Sequence, residues 1–130
     1  MDAATPRALV LFAHGARSPA WAAPFERLRA AAQARLPGVR VELAFLELME
    51  PRLPEAVAAL AAEGISDVTV VPVFLGQGGH LLRDLPQLAS GIRAAHPGLR
   101  LQLAGAIGED PGVQAAMTDY CIRSLGAGAL

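Results

Sequence analysis

The sequence predicts an α/β fold: an open, parallel four-stranded sheet with helices on both faces, built as (βα)4 with strand order 2-1-3-4. Three observations carry this. Short apolar runs alternate four times with alanine-rich stretches of helical period. The runs themselves are almost wholly apolar or lightly alternating, as in strands covered on both faces. Alternating strands and helices also close into parallel pairs through right-handed crossovers. In that order the first and third strands are neighbours and their helices leave on opposite faces, which opens a crevice at the carboxyl ends of the strands.

The elements follow one another with short connections. A strand is expected near 8–14 (ALVLFAH) and a helix over 20–35. In that helix Trp21 and Phe25 stand four apart, as do Leu28 and Ala32, which reads as one buried stripe, with a partner surface as the alternative. A second strand over 39–46 precedes a helix over 53–63, and a third over 68–75 precedes a helix over 81–95. Pro72 falls inside that third run, where a central strand wants a backbone donor, so a bulge there would turn the segment from Phe74 to Gly79 across the sheet end. A fourth strand over 99–105 leads to an amphipathic helix over 111–125, which places Cys121 and Tyr120 in the core. RLPGVRVELA at 35–44 and AHPGLRLQLA at 95–104 echo each other, each Pro-Gly ending a helix and opening a strand.

At 130 residues, 1–130 is expected to form one domain, its core over about 7–125 and the small-residue tail 126–130 flexible. Alanine and leucine dominate a hydrophobic fraction of 53%, and aromatics are few, which suits helices lying close on a sheet rather than a β-sandwich. A net charge of −1 gives no general attraction for nucleic acid or acidic membranes. The eleven basic residues are all arginine, which excludes lysine Schiff-base chemistry. One cysteine cannot build a disulfide framework or a thiolate-rich zinc site. The run from Ala8 to Ala13 is too short for a signal-peptide core or a membrane span, so a cytoplasmic location is expected.

Two histidines carry the chemistry. His14 closes the first strand and His80 closes the glycine loop after the third, so both flank the expected crevice. A single histidine there is as readily a hydrogen-bonded packing residue; a pair at one edge points to metal handling coupled to deprotonation, because imidazole binds borderline metal ions and accepts protons near neutrality. Glu47 follows the second strand and emerges beside His14, as an oxygen ligand or as a group that orients an imidazole. Glu50, three residues on, can take the same part or be an ordinary acid at a helix start. Gly15, Gly76, Gly78 and Gly79 clear side chains from both histidines, allowing tight turns and the approach of a flat ligand. Their spacing matches neither a Walker loop nor GxGxxG. Arg17, Arg52 and Arg83 lie near these loops, where a guanidinium forks onto carboxylates, or are plain surface residues. His96, before Pro97-Gly98 at a helix end, stays outside the site.

HGARSP after the first strand, FLE after the second and PVFLGQGGHLLRDLP after the third together resemble the small, short-form sirohydrochlorin chelatases of the class II chelatase family, along nearly the whole chain. The sequence departs at Ala16, where many relatives carry serine, and it has no long histidine-rich tail. The resemblance implies a cytoplasmic lyase that inserts a divalent metal into sirohydrochlorin in cobalamin or sirohaem biosynthesis. Co2+ is the first expectation, Fe2+ the second and Ni2+ a third. The metal is then a substrate, and no organic cofactor is implied. His14 and His80 would serve as metal ligands and proton acceptors with Glu47 assisting, while Gly15, Gly78, Gly79, Arg17 and Arg83 would meet the tetrapyrrole. Metallation exchanges two pyrrole protons for one M2+, which calls for a base beside a site that releases its ion. Larger relatives hold the macrocycle between two lobes, so a homodimer is expected here, with neither nucleic acid nor membrane as partner. Two other readings stay open. One is a non-catalytic metal-delivery protein, and the other is a histidine phosphatase, which Ala13 in place of an arginine before His14 disfavours.

Overall fold

The computed structural model describes residues 5–76 and 78–126, and over 79–82 the backbone alone. Four strands, β1 (Arg7–Ala13), β2 (Arg40–Phe45), β3 (Asp67–Pro72) and β4 (Arg100–Leu103), form one sheet of order β2-β1-β3-β4. All three pairings are parallel. The helices are α1 (Ala23–Arg35), α2 (Leu53–Ala62), α3 (Gly79–Ala95) and α4 (Pro111–Gly126), with 3-10 turns at Pro19–Ala22 and Ile107–Glu109. The expected fold class and strand order are therefore those observed. The helix expected from residue 20 opens instead as the 3-10 turn, because Pro24 lacks the N–H that an α-turn would use there.

The sheet separates two apolar clusters by the alternation of its side chains. Val10, Phe12, Val68, Val70 and Leu101 face α2 and α3, where Leu53, Val57, Leu60, Leu85, Ala89 and Ile92 meet them. Leu11, Ala13, Val41, Leu43 and Phe45 face α1 and the 3-10 turn before it, where Trp21 of the turn and Phe25 and Ala32 of the helix pack as partly buried residues. The Trp21–Phe25 stripe thus lies against the core, with ring centroids 4.6 Å apart. Each fully buried Phe, Leu or Val contributes about 1.5–3 kcal/mol by leaving water.

The third strand ends sooner than the sequence suggested. Register with β1 runs without interruption from Arg7↔Asp67 to Phe12↔Pro72, so no bulge forms. The Val73 N–H donates to the Phe12 carbonyl at 2.8 Å, and since donors alternate between edges, the donor missing at Pro72 falls on the β4 side. There the pairing has already reached its end at Val70↔Leu103, so the proline breaks no ladder bond.

The sequence echo carries through to the structure. Arg7 pairs with Asp67 across the same offset of sixty, and the residues that end α1 and α3, Leu36 and His96, adopt matching backbone angles (φ −131°, ψ 68° and φ −134°, ψ 71°). Helix side chains then fasten the two outer strands. Arg29 donates to the Val41 carbonyl at 3.1 Å, and Arg93 donates to the Leu101 carbonyl at 2.8 Å.

Helix α4 departs from expectation. None of its residues is buried, Cys121 is exposed, and Tyr120 is 60% exposed. The core placement of Cys121 and Tyr120 is thus corrected: the amphipathic pattern signalled a helix with a face to bury without saying against what. Helix α4 extends through Gly126, one residue into the expected tail, and 127–130 lie outside the described residues. Its start is well fixed, since the Asp110 carboxylate accepts from the N–H groups of Gly112 (2.9 Å) and Val113 (3.2 Å) ahead of Pro111. Asp110→Ala is expected to cost about 1 kcal/mol, seen as a lower thermal midpoint; an unchanged midpoint would remove the cap from this account.

Candidate functional site

The carboxyl ends of β1, β2 and β3 converge on a crevice built largely by backbone contacts. His14 is the first residue beyond β1. Its carbonyl accepts the Glu47 N–H at 3.0 Å, just after the Leu46 N–H reaches the Ala13 carbonyl at 2.9 Å, so the loops after β1 and β2 run side by side. Gly15 makes that approach possible. It sits at φ +94°, and a Cβ there would lie 1.8 Å from the Glu47 carbonyl oxygen. The loop from 46 to 51 then folds back on its own strand, with the Phe45 N–H donating to the Pro51 carbonyl at 2.9 Å. Leu48 at its tip adopts φ 68°, a left-handed conformation that L side chains seldom hold, and it is exposed.

This geometry brings His14 and Glu47 together, both exposed at the crevice. The His14 imidazole rests on Phe74, ring centroids 4.5 Å apart and planes tilted by 44°. Phe74 is buried and meets Phe12 edge-on at 6.0 Å, so the imidazole stands on an aromatic support rooted in the core. Sequence reasoning missed Phe74 as a support. Its signal was available, because Phe74 follows β3 as His14 follows β1, and adjacent strands in that register place such residues side by side.

The second histidine enters from α3. That helix begins at Gly79 with Gly78 as its cap residue, which puts His80 in the first turn directly after the β3 loop, on the strand neighbouring β1. The side chain of His80 lies outside the described residues, as does Gln77. Among the described residues no group of three His, Cys, Asp or Glu side chains converges. At Gly78 a Cβ would meet nothing within 4 Å, so the fold itself does not demand glycine there and the space is open. Arg17 and Arg83 are both exposed, and among the described residues neither joins an ion pair. Glu50 is exposed at the far side of the same loop, while Arg52 bridges to Phe45 and precedes α2. An apolar hollow of about 350 Å³ lies next to the crevice between the β2 loop and α3, lined by Leu46, Asp84, Leu85, Gln87 and Leu88.

The β3 and β4 loops repeat the arrangement in mirrored roles. The Gly108 N–H donates to the Phe74 carbonyl at 2.9 Å, and a Cβ on Gly108 would lie 2.3 Å from the Leu75 backbone. Here the glycine has moved from the inner loop to the outer one. The crevice therefore has a rigid rim on both sides of the His14–Phe74 pair. An imidazole and a carboxylate on one wall can hold an ion loosely and take protons.

The chain also resembles known proteins in sequence and in fold. The CbiX family model matches residues 8–123. The sirohydrochlorin cobaltochelatase of Methanopyrus kandleri is 38% identical over 81 residues, covering 62% of this chain and 57% of that protein. That of Methanocaldococcus jannaschii is 37% identical over 89 residues, covering 68% and 62%. The chain thus spans about three fifths of the length of these curated relatives. Among solved structures, a putative cobalamin (vitamin B12) biosynthesis CbiX protein from Marinobacter aquaeolei superimposes with a TM-score of 0.84 at 32% identity, covering 95% of this chain and all of the other. The sirohydrochlorin chelatase SirB of Bacillus subtilis subspecies spizizenii, solved with cobalt, shares the fold at TM-score 0.72 and 24% identity, covering 88% of this chain and 50% of that one.

Proposed function

The chain belongs to the CbiX family, and from that membership we propose that it is a sirohydrochlorin chelatase, inserting a divalent metal ion into the tetrapyrrole. The observation that carries the reading is His14, exposed at the carboxyl end of β1, standing on Phe74 with its backbone bonded to Glu47. Relatives named as sirohydrochlorin cobaltochelatases support the substrate and favour Co2+ first. A SirB structure with Fe3+ supports iron as the second metal, and Ni2+ suits the same donors.

In this reading His14 and His80 hold the incoming ion and accept the two pyrrole protons as the ring nitrogens take the metal. Glu47 orients or assists from the adjoining loop. Imidazole and carboxylate bind divalent ions without the closed grip of a four-thiolate site, so the ion can leave for the macrocycle. Arg17 and Arg83 meet the ring's carboxylates, and Gly15, Gly78 and Gly79 let its face approach the backbone.

One crevice leaves one ring face in water. We infer that two copies enclose the macrocycle, in keeping with a fold that occupies half of a SirB chain. Among the described residues no helix is long and apolar enough to cross a membrane, and a cytoplasmic location is part of the same proposal. The test follows the absorption of sirohydrochlorin anaerobically with Co2+, Fe2+ or Ni2+, with and without protein. Acceleration over the protein-free rate, greatest with Co2+, is the expected result. Protein that binds metal yet leaves every rate unchanged would point to metal delivery instead.

A further inference from the structure

Two leucines stand in water where they add little to the fold. Among the described residues six large hydrophobic side chains are exposed, and four of them, Leu28, Tyr120, Ile122 and Leu125, lie on helices. The other two are Leu48, 51% exposed, in the loop after β2, and Leu75, 73% exposed, in the loop after β3. Both loops open at the carboxyl edge of the sheet, on either side of β1 and His14. The strands that carry them are two spacings apart, about 10 Å.

Each leucine is held in its place by the backbone around it. Leu75 follows Phe74, whose carbonyl accepts the Gly108 N–H at 2.9 Å, and its own main chain abuts Gly108 so closely that a Cβ there would stand 2.3 Å away. Leu48 follows Glu47, whose N–H donates to the His14 carbonyl at 3.0 Å and whose own carbonyl abuts Gly15. The bond from the Phe45 N–H to the Pro51 carbonyl then closes the loop. Leu48 also keeps φ 68°, which glycine would hold without strain. An exposed leucine there gives up stability for no gain in packing, and strain of that kind gathers where a ligand is clamped.

We propose that Leu48 and Leu75 are two apolar bearings on which one face of the sirohydrochlorin ring rests, with the His14 imidazole between them. The inference rests on the chelatase reading above and adds to it how the ring is seated. A tetrapyrrole of this kind is charged at its edge, through its carboxylates, and apolar on its faces. Arginine suits the edge, and an exposed leucine suits the face. The ring is wide enough to bridge supports about 10 Å apart, so contact on both sides of β1 sets its central nitrogens over His14 rather than over either loop. Because both loops are braced, the two supports are formed before the ring arrives.

Equilibrium dialysis of metal-free sirohydrochlorin against the full chain tests it, with Co2+ dialysis and sedimentation on the same samples. Leu75→Ala and Leu48→Gly are each expected to weaken sirohydrochlorin binding roughly tenfold, the loss of one partly buried leucine contact. Burial of apolar surface is not screened by ions, so that factor should be the same at low and high salt, whereas a contact between arginine and carboxylate fades as salt rises. Leu75→Met should recover most of the affinity. Co2+ binding and sedimentation are expected to match the wild type in all three variants. Wild-type affinity in both Leu75→Ala and Leu48→Gly, in protein that still metallates sirohydrochlorin, would overturn the bearings and leave the chelatase reading in place. Wild-type protein that binds no sirohydrochlorin would overturn both. A loss matched by an equal loss of Co2+ binding, or by altered sedimentation, would assign the leucines to the metal site or to contact between copies and would likewise overturn the proposal.

Discussion

His14→Ala is expected to lower the rate of sirohydrochlorin metallation by roughly 10²–10⁴-fold, the range that a positioned proton acceptor contributes, while the protein stays folded. The structure separates the two effects. What His14 gives to the fold is its backbone carbonyl, which accepts the Glu47 N–H at 3.0 Å and is kept by alanine. What it gives through its side chain is an exposed imidazole against Phe74, whose loss costs no more than about 1 kcal/mol. Initial rates from the absorption assay and a thermal melt on the same samples check both halves. A rate within threefold of wild type would take His14 out of the chemistry.

Gly15→Ala is expected to do the opposite and damage the fold from within the site. The substituted residue must hold φ +94°, unfavourable for any L side chain, and its Cβ would stand 1.8 Å from the Glu47 carbonyl oxygen. Backbone strain and overlap together cost about 3 kcal/mol, which for a chain of this size lowers the melting temperature by roughly 10 °C. Relief comes only by parting the loops after β1 and β2, which carries Glu47 away from His14. Metallation should fall along with stability. A variant as stable as the wild type would mean that the two loops are not locked together by this contact.

The fold was legible in the sequence because its signals are local and repeated. Four apolar runs, the Pro-Gly pair after each of two helices, and the echo between 35–44 and 95–104 all describe turns and periods that tertiary contacts preserve. The strand order expected was that of a doubly wound sheet, and the observed pairings have it. What stayed hidden were features that depend on a neighbour. Pro72 read as a bulge, since nothing in the sequence says that β4 stops pairing just before it. Cys121 and Tyr120 read as core, since a helix of apolar composition carries no mark of what covers it. The juxtaposition of His14 and Glu47 was legible from their places after neighbouring strands, but Phe74 was passed over because a lone phenylalanine looks like any other core residue until its partner across the sheet is known. Gly15 was read as room for a ligand; its backbone also answers to Glu47, which sequence spacing could not reveal.

The central claim is that one divalent ion is gripped by His14 and His80 together. X-ray absorption at the cobalt edge of Co2+-loaded protein measures this directly, through the number of imidazole rings scattering around the metal. Two imidazoles in the wild type, falling to one in each of His14→Ala and His80→Ala, is the result expected. A shell of oxygen donors alone, or an imidazole count unchanged by either substitution, would contradict it.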